Sequence, residues 1–461
     1  MQGLGNELLG ALRSQLGAGA VETGADISAR YHADWSGHDP CAPVALVRPR
    51  TTEEVSRCLK LCNQFAQPIV VQGGLTGLAG GATPRPGELA LSLEWLKGIE
   101  SLDAAGATLI VCAGTPLAAI HEAAAAQGLQ FALDLGARGS CTIGGNIATN
   151  AGGVRVIRYG MAREQVLGLE VVLADGTVLS SLNTMLKNNA GYDLKQLFIG
   201  TEGTLGVVTR AVLRLQPAPC ERHSAFVALA SFADLVALLG ECRRMYGGQL
   251  SSFEVMWSDY YEFAAARVLT GARPFADRHA LYALIELESF EPGRDGSRLE
   301  AGLAALMERG VVKDGVVARS LEESNRLWRV RDAAGELMVH VPQVLSYDIS
   351  LPLQAIEGYL AQLQIAIAPL KGDMPALLFG HLGDGNIHLL ISPRNPAATR
   401  QLNDLVYGAL QGFGSVAAEH GIGTHKRDYL GHSRTSAEVA LMRQLKATLD
   451  PKRILNPGRV I

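Results

Sequence analysis

Three glycine-rich segments in the first half of the chain set the strongest limit on its fold. The first is VQGGLTGLAGG at residues 71–81, directly after an apolar, strand-like run. The second covers residues 136–153, and the third is GTEGTLG at residues 200–206. Successive backbone N–H groups in such loops form concave anion sites, and neighbouring hydroxyl and amide side chains add hydrogen bonds. Three such loops in one domain predict a large cofactor that carries phosphate.

Two common nucleotide sites are excluded by their missing motifs. No GxGxxG segment opens a helix, and no GxxxxGK[ST] segment is present. A Rossmann dinucleotide fingerprint and a P-loop hydrolase are therefore both ruled out. Between the glycine segments, residues 43–219 alternate short strand-like runs with helical stretches, and LADGTVL at 173–179 predicts a hairpin. This pattern favours an α+β domain with mostly antiparallel strands.

The length and composition predict a globular protein of more than one domain. A chain of 461 residues exceeds what one hydrophobic core usually supports. The net charge of −4 and the lack of a basic, aromatic-interleaved run give no sign of nucleic-acid binding. The seven cysteines form no CxxC pair, which indicates reduced thiols in a cytoplasmic protein. The N-terminal stretch is typical of a small amphipathic helix, and a weak transit signal is the alternative interpretation. No uncharged apolar run reaches the roughly 18 residues that span a bilayer, so we expect at most a peripheral membrane association.

The QPAP segment at residues 216–219 is typical of a linker and divides the predicted domains. We expect a cofactor-binding domain, which holds the three glycine segments, at 1–218 and a second α+β domain, for substrate, at 219–401. Residues 402–461 should form a helical C-terminal segment that completes the active site.

A cluster of metal-ligand residues lies in the second half of the chain. GHLGDGNIH at 380–388 places His381 and His388 seven residues apart across a Gly-Asp-Gly turn, and AEHGIGT at 418–424 adds Glu419 and His420. On one straight strand the two histidines would lie on opposite faces, but the turn allows them to converge. Two imidazoles and a carboxylate suit Zn²⁺ or Mn²⁺. The alternative is that the histidines are buried and merely hydrogen-bonded.

The three glycine segments closely resemble the FAD domain of the vanillyl-alcohol oxidase / p-cresol methylhydroxylase superfamily. That resemblance implies that the first loop wraps the FAD pyrophosphate. It also implies non-covalent FAD, because Leu75-Thr76 stands where some members carry a flavin-linking histidine. The cofactor-binding positions that match are Gly73, Gly74, Leu75, Thr76, Gly77, Ser140, Gly144, Asn146, Thr149, Gly152, Gly153, Glu202, Gly206, Val207 and Asn456.

The later motifs resemble the C-terminal half of FAD-linked D-lactate and D-2-hydroxyglutarate dehydrogenases. The likeness implies that His381, His388 and Glu419 bind the metal and that His420 is the base. It also implies that Arg331 binds the substrate carboxylate, with Asn386 among the substrate-binding positions. The expected reaction is oxidation of a D-2-hydroxy acid to the 2-oxo acid, with hydride transfer to the flavin. An external quinone, electron-transfer flavoprotein or cytochrome should accept the electrons, and related enzymes suggest a homodimer.

Three positions depart from the D-2-hydroxyglutarate enzymes that the sequence otherwise resembles. Gly335, Ser346 and Leu390 stand where those enzymes hold the distal carboxylate with Thr, Lys and Asn. Burying a second carboxylate without a cation is costly, so we expect D-lactate or a longer apolar D-2-hydroxy acid to be preferred. The alternatives are a D-2-hydroxyglutarate dehydrogenase, an oxygen-reducing oxidase, a flavin-binding subunit of a glycolate-oxidase-type complex, or a metal-dependent hydrolase.

Overall fold

The computed structural model describes residues 5–269, 273–340 and 343–461. Its α-helices, with the shortest included, are α1 Asn6–Leu16, α2 Thr52–Gln64, α3 Leu117–Ala125, α4 Ile143–Thr149, α5 Val156–Tyr159, α6 Ala162–Gln165, α7 Phe232–Tyr246, α8 Ser258–Val268, α9 Asp295–Glu308, α10 Leu321–Arg331, α11 Ala334–His340, α12 Leu353–Ile367, α13 Ala398–Gly408, α14 Leu430–Ser433 and α15 Ser436–Leu449. Its strands are β1 Val21–Glu22, β2 Leu46–Val47, β3 Ile69–Gln72, β4 Leu89–Ser92, β5 Ile99–Asp103, β6 Thr108–Cys112, β7 Leu129–Gln130, β8 Val166–Val172, β9 Val178–Ser181, β10 Val207–Arg214, β11 Gln216–Pro217, β12 Glu221–Leu229, β13 Leu250–Trp257, β14 Leu281–Ser289, β15 Asp314–Val317, β16 Leu345–Ser350, β17 Leu377–His381 and β18 Asn386–Ile391. Over these ranges, no helix has the length and apolar character needed to cross a bilayer.

The chain forms two compact units. The first contains residues 1–153, 160–217 and 419–461, and the second contains residues 154–159 and 218–418. These limits differ from the predicted domains in three places. Residues 402–418 group with the second unit, residues 419–461 belong to the first unit and do not form a separate segment, and residues 154–159 group with the second unit.

The first unit is built on two main sheets. Its four-stranded sheet has the order β1-β2-β4-β3, with β2 and β3 parallel to β4. Its five-stranded sheet, β5-β6-β10-β8-β9, is antiparallel throughout. The predicted hairpin is confirmed: β8 and β9 pair around a turn in which Gly176 has φ 83°. Positive φ costs glycine little, which explains the Asp-Gly signal.

The second unit contains a seven-stranded antiparallel sheet of order β15-β12-β14-β13-β17-β18-β16. One of its faces is covered by an apolar layer that includes residues of α8, α10 and α11. The sequence pattern over residues 322–339 is typical of a single helix, but the structure divides this stretch into α10 and α11. The structure ends α10 at Arg331, where the hydroxyl of Tyr260 donates to the Arg331 carbonyl at 2.6 Å. That carbonyl is an acceptor the continuing helix would use, so a tertiary contact competes with the local hydrogen bond.

All seven cysteines are free thiols in the structure. Burial raises the pKa of the Cys242 thiol to about 12 and that of Cys112 to about 11. Such thiols are poor nucleophiles at neutral pH, so neither is suited to catalysis.

Candidate active site

A cavity of about 340 Å³ lies within the first unit, between the three glycine segments. Its size falls in the range of ordinary cofactor sites. Twelve of the residues matched to FAD binding face it: Gly73, Gly74, Leu75, Thr76, Gly77, Gly144, Asn146, Thr149, Glu202, Gly206, Val207 and Asn456. Segments more than 380 residues apart in the sequence therefore meet at one cavity.

Glycine is required in these loops because their backbones touch. A Cβ atom on Gly74 would lie 2.9 Å from the Cα of Cys141 and closer still to the carbonyl oxygen of Ser140. A Cβ on Gly144 would lie 2.6 Å from the Cβ of Ala113. The first and second glycine segments thus pack against each other directly, and that contact forms one wall of the cavity.

Three buried polar atoms on the cavity wall support a polar occupant. Within the described residues, Asp34 Oδ2, Thr142 Oγ1 and Asn146 Oδ1 have no hydrogen-bond partner. An unsatisfied buried polar atom costs about 1–3 kcal/mol, so such atoms usually await a ligand or water. Hydroxyl, carbonyl and carboxyl groups match the ribityl, ribose and pyrimidine hydrogen-bonding groups of FAD. The residues present therefore fit this cofactor.

Leu75 also faces the cavity, in a conformation unusual for its type. Its φ is 59°, in the left-handed region that a branched side chain rarely adopts. Backbone strain of this kind is held in place by surrounding structure and is concentrated at functional sites. The loop conformation at Leu75 is therefore set by its surroundings and not by the local preference of leucine.

Three matched residues do not face the cavity. The Ser140 hydroxyl donates to the carbonyl of Ala137 at 3.3 Å, and Gly152 is not among the lining residues. Gly153 instead donates its N–H to Glu419 Oε2 at 2.8 Å. The end of the second glycine segment thus positions the Glu419 carboxylate. Both Glu419 and His420 lie at the cavity wall.

The side chains of Glu202 and Asn456 form hydrogen bonds to the loops that line the cavity. The Glu202 carboxylate accepts N–H bonds from Ile422 at 2.6 Å and Gly423 at 2.8 Å, just beyond His420. Burial raises the pKa of Glu202, although these two N–H groups act in the opposite direction. The Asn456 amide accepts from Val71 N at 2.8 Å and donates to the Glu202 carbonyl at 2.5 Å. Both side chains therefore hold loops in place, which the sequence did not reveal.

The second unit brings His381 and His388 together on one face of its sheet. Strands β17 and β18 form a hairpin in which His381 is opposite Asn386, two residues before His388. The two ring centroids are 5.3 Å apart with an interplanar angle of 81°. Both imidazoles are 5% exposed. The Gly-Asp-Gly turn thus produces the convergence that the spacing suggested.

Glu254 on β13 is a site residue that the motif analysis missed. It is 1% exposed and pairs in register with His381. Its Oε1 lies 2.9 Å from His381 Nδ1, and its Oε2 accepts from Arg331 Nε at 2.6 Å. Burial would raise the pKa of the Glu254 carboxyl, but Arg331 and His381 outweigh burial and lower it. An acidic residue in the middle of the apolar segment LSSFEVM was the available signal.

Arg331 is also directed at His381. Its Nη2 lies 3.0 Å from His381 Nε2 and 3.3 Å from His381 Nδ1. Burial lowers the pKa of Arg331, yet Glu254 more than compensates and the pKa is raised overall, so the guanidinium stays charged. A cation, a carboxylate and an imidazole are therefore in mutual contact inside the second unit.

Asp348 stands beside His388 on the paired strand β16. Its Oδ1 is 3.7 Å from His388 Nδ1 and accepts from Asn386 Nδ2 at 2.8 Å. Its Oδ2 accepts the N–H of Ala418 at 3.0 Å. The Asn386 amide nitrogen is thus engaged within the protein, which leaves its oxygen as the group able to meet a ligand. Two buried imidazoles, each with a carboxylate beside it, are a donor set that fits a divalent cation.

The three positions that depart from the D-2-hydroxyglutarate pattern lie in two environments. Ser346 and Leu390 are register partners on β16 and β18, so their side chains share the face that carries His388. Leu390 is 2% exposed and belongs to the apolar layer with Phe379. Gly335 is exposed in the first turn of α11, where an added Cβ would meet no atom within 4 Å.

Each half of the chain matches a known protein family. Residues 43–181 match the family described as FAD binding domain, and residues 218–460 match FAD linked oxidases, C-terminal domain. The chain is 40% identical over 433 residues to a mitochondrial D-2-hydroxyglutarate dehydrogenase of Bos taurus, covering 93% of this chain and 79% of the relative. It is 40% identical over 439 residues to a D-2-hydroxyglutarate dehydrogenase of Xanthomonas citri pv. viticola, covering 93% and 92%.

Solved structures show the same fold at low sequence identity. A substrate-bound p-cresol methylhydroxylase matches with a TM-score of 0.77 and 19% identity, covering 99% of this chain and 96% of that one. An alkyldihydroxyacetonephosphate synthase matches with a TM-score of 0.77 and 16% identity, covering 99% and 87%. The expected two-part FAD-binding α+β fold with a second α+β domain is confirmed. The fold and site define an FAD-linked flavoprotein oxidoreductase, and the chain belongs to the family of FAD-linked D-2-hydroxyacid dehydrogenases.

Proposed function

We propose that this enzyme oxidises a D-2-hydroxy acid with a short or apolar side chain, and that a divalent cation orients the substrate. The observation that carries this proposal is the 3.0 Å separation of Arg331 Nη2 and His381 Nε2. A 2-hydroxy acid has its carboxylate and hydroxyl on adjacent carbons. A carboxylate anchor and a metal ligand that serve one such substrate must therefore be near neighbours.

The proposed metal ligands are His381, His388 and Glu419, with Zn²⁺ or Mn²⁺ as the ion. Support for the two histidines comes from their converging rings and adjacent carboxylates. Support for Glu419 comes from the chain itself. It directly follows Ala418, whose N–H is bonded to Asp348 beside His388. The family resemblance assigns the same three residues.

Two side chains of the protein have separate roles in the proposed reaction. Arg331 binds the substrate carboxylate through charge-assisted hydrogen bonds. His420 receives the hydroxyl proton as general base. When bound, the cation lowers the pKa of the substrate hydroxyl, and FAD supplies the two-electron acceptor. We propose that FAD is held without a covalent bond, since Leu75 at the matching position has no nucleophilic atom. A quinone, an electron-transfer flavoprotein or a cytochrome would reoxidise it, and the expected homodimer stays a prediction.

Substrate preference is proposed from the face that carries Ser346 and Leu390. Leu390 is packed among apolar side chains, and neither residue supplies a charge for a distal carboxylate. Placing such a carboxylate there without a cation would be costly. The names of the relatives favour D-2-hydroxyglutarate as a second candidate substrate. The two are separated by comparing kcat/KM for D-lactate, D-2-hydroxybutyrate and D-2-hydroxyglutarate.

The role of Arg331 has a matched control two residues earlier on the same helix. Arg329 is exposed, and its Nη2 donates to the carbonyl of Val268 at 2.9 Å. We expect Arg331→Gln to lower kcat/KM at least about 100-fold and Arg329→Gln to leave it within about twofold, because a lost buried charge-assisted contact costs about 2–5 kcal/mol. Flavin content of each variant reports whether the fold is intact. Equal effects of the two substitutions on kcat/KM would contradict the assignment.

Metal dependence is tested by anaerobic bleaching of the bound flavin with D- and L-2-hydroxy acids, before and after treatment with a chelator. We expect bleaching by the D-enantiomers, its loss after chelation, and its return when Zn²⁺ or Mn²⁺ is added. Bleaching that is indifferent to chelation would refute the proposed metal role.

A further inference from the structure

Glu254 is the residue to which the proposed metal ligand and the proposed substrate anchor are both attached. Its two carboxylate oxygens have different partners. Oε1 contacts His381 Nδ1 at 2.9 Å and also accepts from the Ser252 hydroxyl at 3.1 Å, whereas Oε2 accepts from Arg331 Nε at 2.6 Å. The carboxylate is 1% exposed, so water does not substitute for these partners.

The partners of His381 assign the position of its proton. A carboxylate accepts hydrogen bonds, so the Nδ1 atom facing Glu254 carries the hydrogen. Arg331 Nη2 lies 3.0 Å from Nε2 and 3.3 Å from Nδ1, almost evenly between the two nitrogens, so it does not assign the proton. Glu254 does, and Nε2 then carries a lone pair and no hydrogen. The imidazole is therefore held in the tautomer that binds a metal through Nε2. The same carboxylate fixes the Nε edge of Arg331 and so determines where its Nη atoms point.

We propose that Glu254 is the positioning residue of this active site: it sets the tautomer of His381 for the metal and holds Arg331 for the substrate carboxylate. This inference rests on the proposed function, because it requires that His381 binds a metal. Carboxylates that accept from metal-bound imidazoles typically change metal affinity about 10–100-fold when they are replaced.

The substitution Glu254→Gln tests the inference because an amide cannot replace both interactions. The glutamine side chain has one accepting oxygen and one donating nitrogen, whereas both Glu254 oxygens accept. An amide nitrogen turned to His381 would require the proton to move to Nε2, where it blocks the metal. An amide nitrogen turned to Arg331 would face another donor.

The measurement is the Zn²⁺ dissociation constant of the flavin-loaded protein, obtained by competition with a chromophoric chelator. We expect Glu254→Gln to weaken Zn²⁺ binding about 10–100-fold. We also expect KM for D-lactate to stay raised at saturating Zn²⁺, since Arg331 is then misplaced. Glu170→Gln is the matched control, because Glu170 is also a buried strand carboxylate paired with an arginine, Arg210, in the other unit. Its Zn²⁺ affinity should equal that of the wild type.

Glu254→Asp is the second variant, should the glutamine variant not fold. It keeps the negative charge beside Arg331 but is one methylene shorter, so we expect a smaller loss of Zn²⁺ affinity. Wild-type Zn²⁺ affinity in either Glu254 variant overturns the inference and leaves the proposed metal site intact. The proposed function is refuted instead if the wild-type protein binds no Zn²⁺ and the His388→Ala variant keeps the wild-type activity.

Discussion

Replacing Gly74 by alanine isolates the contact between the first two glycine segments. Neither Gly74 nor the control Gly139 has a positive φ, so alanine meets no backbone strain at either position. The two positions differ in the space around them. A Cβ on Gly139 would meet nothing within 4 Å, whereas one on Gly74 would lie 2.9 Å from the Cα of Cys141.

The size of the effect follows from this geometry. Carbon atoms pack best at roughly 3.5–4.0 Å, and the Ser140 oxygen is closer still, so the two segments must separate by at least about 1 Å to accept the methyl group. The opposing atoms belong to backbone and cannot rotate away. Overpacking of this kind costs about 1–3 kcal/mol. Because the separated loops no longer form the same cavity wall, we expect FAD affinity to fall roughly 5- to 150-fold.

The assay measures FAD binding to the apoprotein. The signal is the quenching of flavin fluorescence at a series of protein concentrations. Circular dichroism of each apoprotein shows whether the fold is retained. Gly139→Ala should bind FAD as the wild type does. If Gly74→Ala binds FAD within twofold of the wild type, the contact does not shape the cofactor site and the reasoning is wrong.

Three further predictions concern specificity and stability. Ser346→Lys places a cation on the sheet face that carries His388. The ratio of kcat/KM for D-2-hydroxyglutarate to kcat/KM for D-lactate should rise about tenfold or more, because a charge-assisted hydrogen bond contributes about 1.5–3 kcal/mol. An unchanged ratio would argue against binding of the substrate side chain at this face. Burial raises the pKa of Glu170, but Arg210 outweighs it and sets the pKa at about 2, below the ordinary 4.5. Glu170 therefore stabilises the fold above pH 4.5 and loses this effect as the pH falls toward 2. The difference in urea unfolding free energy between wild type and Glu170→Gln should shrink over that interval, and a constant difference would contradict the linkage. Arg459 is 1% exposed and donates to both Glu88 carboxylate oxygens. Arg459→Leu should lower the free energy of unfolding by about 3–5 kcal/mol, because the buried Glu88 carboxylate loses its cation. A loss below about 1 kcal/mol would show that the ion pair is dispensable.

Two local geometries that the sequence predicted are found in the structure, because each pattern has one geometric outcome. The two histidines converge because a tight turn between antiparallel strands returns the chain to the same face. The glycine segments meet because only glycine permits their backbones to touch. The helical pattern over residues 322–339 does not reveal the break between α10 and α11, where Tyr260 contributes a distant hydroxyl that no local pattern encodes.

The glycine loops named by the sequence form the cavity, and the Gly-Asp-Gly turn brings the two histidines together. These features are local, so residue type and spacing were sufficient to predict them. The partners of those residues were decided by the tertiary structure alone. Glu254 meets His381 because β13 pairs with β17, and Asn456 meets Val71 because the C-terminal segment lies against β3. Such contacts depend on which strands become neighbours, and that choice is made by packing of the whole core and not by any short stretch of sequence.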